Sequence, residues 1–340
     1  MTKKNKTGIF IRALELYFSN FVQFIKYMSF PVFGQITGLA VIFSFTIMYS
    51  KRLPELIEHY RIFNDFTMLV LISVLVAIPG MIIFLKAFWE YLVAYGAVNS
   101  MLDNMLKSGK VYDFKAHTEL IKRRTPAFVA LWLIISVFGL IAFFPLFWIP
   151  AGVIGIYIVL IFQVFTYEPD LSPIGCIKKS VTLIKGHFAF TFLITALSGL
   201  LCYILLPQIF NYLSQVSGLS KILSGLFIPL VESLPLSDFN SMLTQYGIPI
   251  LKNEDIALLG VSSIISQILI LYTLPFRSVL FGLWYKELNS SNTASDSVKK
   301  KPSKKRPSEK LMNETHKKYS GTKRLDKNIL KRAMEKDERE

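Results

Sequence analysis

The side chains in this chain best suited to metal or acid–base chemistry are four histidines, His59, His117, His187 and His316, and two cysteines, Cys176 and Cys202. The histidines are scattered over loops and the C-terminal tail, with no HExxH and no paired-ligand spacing. A metal or hydrolytic centre needs clustered His, Cys or carboxylate donors. Cys176 stands beside Lys178 and Cys202 deep in an apolar run, which supports no disulfide framework. No Gly-rich phosphate loop or serine elbow occurs either. The chain is expected to have no catalytic residue, no metal site and no cofactor.

The basic residues could do a different chemistry, the binding of phosphate groups. Asp170 to Gly186 reads as a capped helix: Ser172 or Asp170 at the N-cap, Pro173 in the first turn, Gly186 at the end. Ile174, Ile177, Val181 and Ile184 form its apolar face, so Lys178, Lys179 and Lys185 project toward phosphates as lipid-headgroup candidates. The plainer reading is a surface helix with snorkelling lysines. A second cluster, Lys299, Lys300, Lys301, Lys304, Lys305 and Arg306, has six basic residues in eight positions and no acid. Near an anionic leaflet each such charge contributes about 1 kcal/mol, so membrane-surface association is the default expectation. RNA or ribosome binding is the alternative, weakened because no aromatic side chain interleaves the cluster to stack on bases.

The elements that must position these residues follow from composition. With 52% hydrophobic and only 18% charged residues, the chain would not stay in water. A hydrocarbon layer about 30 Å thick takes roughly 20 apolar residues per helix. Six stretches qualify: 31–50, 66–85, 126–144, 150–166, 188–208 and 257–276. No charge occurs between Arg124 and Glu168, so that run holds two spans joined by a tight turn near Pro145 and Pro150. Phe143, Phe144, Phe147 and Trp148 would belt this turn at the interface. The fold class expected is an all-α polytopic membrane protein of about six transmembrane helices, with amphipathic helices on the cytoplasmic side.

Lys and Arg orient the bundle, because cytoplasmic loops carry the positive excess. Up to Asn289 the N-terminus and the second, fourth and last connections hold seventeen, against five in the other three loops. Both termini are therefore expected in the cytoplasm, in a bacterial-type inner membrane. Lys3, Lys4 and Lys6 imitate the start of a secretory signal, but Arg12, Glu15 and Lys26 interrupt any uncharged core, and no cleavage is expected. The division is a cytoplasmic N-terminus (1–29), a six-helix domain (30–289) with an external cap over 210–255, and a disordered basic tail (290–340). Within the cap, Ile222 to Val231 is too short to span.

Ile9 to Met28 places Phe10, Leu14, Phe18, Phe21, Ile25 and Met28 on one helical face, the pattern of an interfacial anchor. Phe24-Ile25-Lys26, Leu120-Ile121-Lys122 and Leu183-Ile184-Lys185 each stand before an outward span, which suggests three repeats of surface helix plus hairpin. The spans contain no Asp, Glu, Lys, Arg or His, only mild groups such as Gln35, Thr37, Gln163, Thr195, Ser262, Ser263, Ser266 and Gln267. Gly34-x-x-x-Gly38 allows close helix packing. Lys86 and Glu90, one turn apart at the inner end of the second span, read as an interfacial pair.

The run from Glu168 to Phe188, and the ending Pro275-Phe276-Arg277 to Trp284-Tyr285, resemble bacterial families of uncharacterised six-span membrane proteins. One of these is the membrane domain attached to some glycerophosphoryl diester phosphodiesterases. The resemblance covers roughly residues 10–288; it implies a six-helix bundle and no catalytic residues. Three functional expectations follow. The first is a non-enzymatic bundle that organises membrane lipids or a protein partner. The second is a transporter or flippase-like carrier of an apolar or amphipathic molecule, suggested by the outer cap and Pro79-Gly80. The third is an insertase with a ribosome-binding tail, against which the lack of an intramembrane Arg counts.

Overall fold

The computed structural model describes residues 6–60, 62, 65–142, 144–232, 236–247 and 249–299. Every regular element among them is helical: α1 (Lys6–Ser19), α2 (Phe21–His59), α3 (Phe66–Ser108), α4 (Phe114–Lys122), α5 (Thr125–Ala142), α6 (Trp148–Ile158) and α7 (Ile161–Tyr167). These are followed by α8 (Pro173–Ile184), α9 (Phe188–Gly199), α10 (Leu206–Val216), α11 (Leu219–Val231), α12 (Leu236–Gln245), α13 (Asn253–Tyr272) and α14 (Leu274–Lys299). Six rods are long and apolar enough to cross a membrane: α2, α3, α5, Pro145–Tyr167, Phe188–Val216 and Asn253–Ser291. The protein is an all-α, multi-pass membrane protein. Its chain divides into two compact units, 1–289 and 290–340. Of the second, only 290–299 are described, as the last turns of α14, so helix continues past the point where a disordered tail was expected to begin. Lys300, Lys301, Lys304, Lys305 and Arg306 lie outside the described residues.

Helices α2 and α3 have 39 and 43 residues, roughly 58 and 65 Å at 1.5 Å per residue, about twice what a bilayer core needs. The early turns of α3 face outward: Val70, Leu71, Val74 and Leu75 are exposed apolar side chains, a surface suited to acyl chains. Burial on α3 begins only at Gly80 and runs to Met105. There Leu92, Ala97, Met101 and Leu102 join Phe24 and Met28 of α2, Phe128 of α5, Phe165 of α7 and Trp284 of α14 in one core. The core shared by α2, α3, α5, α7 and α14 thus sits at the lysine- and arginine-rich end of the bundle.

The α2–α3 hairpin is held at van der Waals distance by glycines. A Cβ on Gly38 would lie 2.6 Å from the Phe84 amide nitrogen, one on Gly80 2.6 Å from that of Ile42, and one on Gly34 2.7 Å from the Ala87 Cβ. Gly34-x-x-x-Gly38 therefore does what its spacing predicts, letting two backbones touch where apolar side chains alone give no preference for protein over lipid.

The N-terminal stretch departs from expectation. It is not one surface helix from Ile9 to Met28, because the helix breaks at Asn20 and the first long rod starts at Phe21. The buried stripe is Ala13, Tyr17, Asn20, Phe24 and Met28, whereas Phe18 and Phe21 are exposed. Asn20 makes the break specific: its Nδ2 donates to the carbonyls of Leu16 (2.9 Å) and Gly109 (3.1 Å), and its Oδ1 accepts from the Val111 amide (2.8 Å). The α3–α4 turn is thereby pinned to the N-terminal helix.

Helix α4 docks back on α3. Asp113, at a left-handed φ of 54°, caps it by accepting from the Ala116 amide, and Tyr27 stacks on Phe114 and bonds Thr118 Oγ1 at 2.8 Å. His117 Nδ1 lies 2.7 Å from Ser100 Oγ and Nε2 lies 2.9 Å from Asn104 Nδ2. Ser100 gives its own proton to the Ala97 carbonyl, so Nδ1–H donates and Nε2 accepts, which describes a neutral ring. Burial lowers the His117 pKa below its ordinary value, with Asp113 opposing. The unfolded ring takes its proton first, near pH 6.5. This contribution to stability is fully present above that pH and is lost as pH falls through the lowered folded value. Thermal melts in micelles should show stability falling from pH 6.5 toward 5, with that part of the slope absent in His117→Gln.

Three short helices, α1, α4 and α8, each precede a break and then a rod, at Asn20, at Arg123-Arg124 and at Lys185–His187. This order of elements recurs three times. The tripeptides do not share one position in it, since Phe24-Ile25-Lys26 lies beyond its break and the other two lie before theirs. At the far end, Leu146, Trp148 and Ile149 are exposed at the α5–α6 turn. The connection expected to be a cap over 210–255 is more ordered: the fifth rod continues to Val216, and α11 packs along α13.

Candidate functional site

The sixth rod is interrupted: α13 ends at Tyr272 and α14 begins at Leu274, and Pro275 in its first turn has no amide hydrogen to give. Side chains serve the carbonyls freed there. Ile270 accepts from Thr273 Oγ1 at 2.8 Å and from Arg277 Nη2 at 3.2 Å, and Tyr272 accepts from the Tyr17 hydroxyl at 3.2 Å. The fifth rod is irregular nearby, with a π-helical segment over Leu200–Leu205 that buries Cys202 and carries Tyr203. Non-helical or π backbone in a membrane helix is tolerated where it is buried or lines a site.

Arg277 joins these two irregularities. Its guanidinium donates through Nη1 to the Tyr203 hydroxyl and through Nη2 to that of Tyr91 at 3.3 Å, and it lies 4.9 Å from the Tyr203 ring centre. The Nε hydrogen is buried and has no partner.

From Tyr91 the polar groups continue down α3 every fourth residue, hence along one side of the helix. The Tyr95 carbonyl accepts from Ser278 Oγ at 3.5 Å. Asn99 Oδ1 accepts from Gln163 Nε2 at 3.2 Å, and its carbonyl accepts from the Tyr167 hydroxyl at 2.8 Å. Asp103 pairs with Lys286. Tyr167 stacks on Tyr285 at 5.1 Å, and Tyr285 donates to Glu168, which also pairs with Lys179 at 3.4 Å. The result is a polar seam between α3, α7 and α14, with the cation at one end and ion pairs at the other. Asn99 Nδ2 and Gln163 Oε1 are buried along it without partners.

The lysines singled out from sequence are separated by the structure. Helix α8 starts as expected, with Ser172 accepting from the Gly175 amide, and Gly186 follows its end at φ 88°. Its buried face is Cys176, Ser180, Leu183 and Ile184, while Ile174 and Val181 point outward. Lys178 and Lys185 are exposed and Lys179 is turned to Glu168. Lys86 does not pair with Glu90, whose partner is Lys122 of α4 at 3.1 Å. Lys299 is the last described residue of α14, and the rest of its cluster lies outside the described residues.

Sequence reasoning missed Arg277 by counting it as a loop charge. The signal was present in Tyr91, Tyr95, Asn99 and Asp103, four polar-capable residues at helical spacing, and in a proline two positions before the arginine. The chain matches no known family model, no curated protein and no solved structure.

Proposed function

We propose that this protein is a non-enzymatic bundle that holds membrane lipid in a fixed arrangement. The observation behind this reading is an apolar cleft of about 410 Å³ between α5 and α6, lined by Ile135, Phe138, Gly139, Trp148, Gly152 and Gly155 among others. A Cβ added at any of these three glycines would meet nothing within 4 Å, so the floor of the cleft is bare backbone. Both walls belong to membrane-length rods, so the occupant with matching chemistry is an acyl chain.

A second reading, a carrier of an amphipathic molecule, is favoured by one observation: the π segment and the α13–α14 break meet at Arg277, and broken helices mark substrate sites in many carriers. Reconstitution separates the two. An organiser purifies with bound phospholipid and leaves a headgroup-labelled lipid in its original leaflet. Leaflet exchange by the protein alone would overturn the first reading.

The reading places both termini in the cytoplasm of a bacterial-type inner membrane, with the lysine cluster after residue 298 tethered to anionic headgroups. A reporter fused after Tyr285 and one near Lys107 should both register as cytoplasmic, and one near Asp238 as external. An internal signal near Asp238 breaks the six-span topology. Deleting 300–340 should weaken vesicle binding and leave ribosome co-sedimentation unchanged.

A further inference from the structure

We propose that Arg277 is the binding site for one oxyanion, a phosphate or carboxylate, of the kind carried by an anionic lipid headgroup. The proposal rests on the lipid-holding reading and assigns the polar part of the ligand. Three observations carry it.

The first concerns charge. An arginine keeps its proton in any protein environment. A cation withdrawn from water is costly unless a counter-charge meets it. Each of the three described ion pairs engages a different cation: Glu90 with Lys122, Glu168 with Lys179 and Asp103 with Lys286. The described hydrogen-bond acceptors of Arg277 are two phenol hydroxyls and one carbonyl, all neutral. They satisfy N–H groups and leave the positive charge unopposed.

The second concerns donors. A guanidinium has no lone pair to offer, so Tyr91 and Tyr203 accept from it and their own O–H hydrogens remain to be given. The described bonds of both hydroxyls end at Arg277. Together with the unpartnered Nε–H, the cluster holds three donors from one cation and two phenols. Charge-assisted bonds to several donors are how proteins hold phosphate and carboxylate.

The third concerns place. Arg277 is 24 residues after Asn253, roughly 36 Å along the rod. Trp284, seven residues further on, bonds Thr191 near the start of the fifth rod, so Arg277 stands about 10 Å inside the end of that rod, where a headgroup reaches in from the interface. The two backbone irregularities beside it, Leu200–Leu205 and the break at Thr273, supply Tyr203 and the turn that aims Arg277 at it. A purely structural clamp on the helix break would need only the bond to the Ile270 carbonyl.

The test uses full-length protein in micelles, exchanged against phosphatidylglycerol or diacylglycerol, which has no oxyanion, and read by native mass spectrometry, with inorganic phosphate as a separate probe. Wild type should retain phosphatidylglycerol over diacylglycerol by about tenfold, and Arg277→Gln should lose that preference while still carrying chain-held lipid. Tyr203→Phe and Tyr91→Phe should each lower the preference several-fold. A lipid preference without phosphate binding assigns the site to a headgroup. Phosphate binding that vanishes in Arg277→Gln assigns it to a free oxyanion, and both outcomes support the site. Equal retention of the two lipids with no phosphate binding overturns it and leaves the lipid-holding reading intact. Should Arg277→Gln fail to fold, Tyr203→Phe decides: an unchanged preference contradicts the proposal.

Discussion

Gly38→Leu should abolish the α2–α3 hairpin. Even the first carbon of the new side chain would sit 2.6 Å from the Phe84 amide nitrogen and 2.7 Å from its Cα, and neither atom can move without the helix. Overpacking a core costs about 1–3 kcal/mol when side chains can yield. Here the atoms in the way are backbone and the Phe84 Cβ fixed to it, so the cost should exceed about 3 kcal/mol and appear as lost yield or a collapsed melt in micelles. Gly38→Ala should already be damaging, and Phe84→Ala should not rescue it, because the clashing nitrogen and Cα remain. Gly282→Ala is the contrast. Its Cβ meets the Cδ2 tip of Leu102 at 2.6 Å, which a change of rotamer relieves. A melt for Gly38→Ala equal to that of Gly282→Ala would show that the two helices do not touch backbone to backbone.

Asn20→Ala should cost about 2–4 kcal/mol, although Asn20 touches no ligand and lies outside the spans. Its side chain serves Leu16, Gly109 and Val111 at once, and Val111 is buried. A stranded buried amide alone costs roughly 1–3 kcal/mol, and the lost bonds to two carbonyls add to it. The damage should be local as well as global, with faster proteolysis between Gly109 and Asp113, because this turn has lost its tie to α1. Asn20→Asp keeps the acceptor for Val111 and loses the amide donors, so it should fall between wild type and alanine. An alanine variant with wild-type melt and digestion would contradict the role given to Asn20.

Much of the fold is legible in the sequence, and the places where it is not share a physical cause. Six apolar runs, the Gly34-x-x-x-Gly38 contact and the Ser172 cap were all readable, because length, backbone closeness and capping leave marks in residue type. The inward faces of α1 and α8 were not. In water the largest apolar stripe points inward. In a bilayer, lipid accepts large apolar side chains as readily as protein does, and small or weakly polar groups go between helices. Hence Phe18, Phe21, Ile174 and Val181 face out, while Ala13, Asn20, Cys176 and Ser180 face in.

The candidate site was obscured for a related reason. Charge counting assigns each Lys and Arg to a loop, which is right for orientation and blind to direction. Arg277 follows the last apolar run and so counted as interfacial, yet it turns inward to Tyr91 and Tyr203. Lys179 looked like a phosphate-seeking lysine until Glu168, eleven positions earlier, was found beside it. Partners brought together by helix packing leave no trace in spacing along the chain.

The central claim is that the bundle holds lipid at a defined place, and photo-crosslinking tests it most directly. Full-length protein is reconstituted with a phospholipid bearing a photoreactive acyl chain, irradiated, digested and mapped. The account predicts crosslinks concentrated on Ile135–Ala142 and Trp148–Ile158, and their loss in Gly155→Leu, which fills the cleft. Crosslinks spread evenly over the exposed faces of α2, α3 and α5, unchanged by Gly155→Leu, would contradict it.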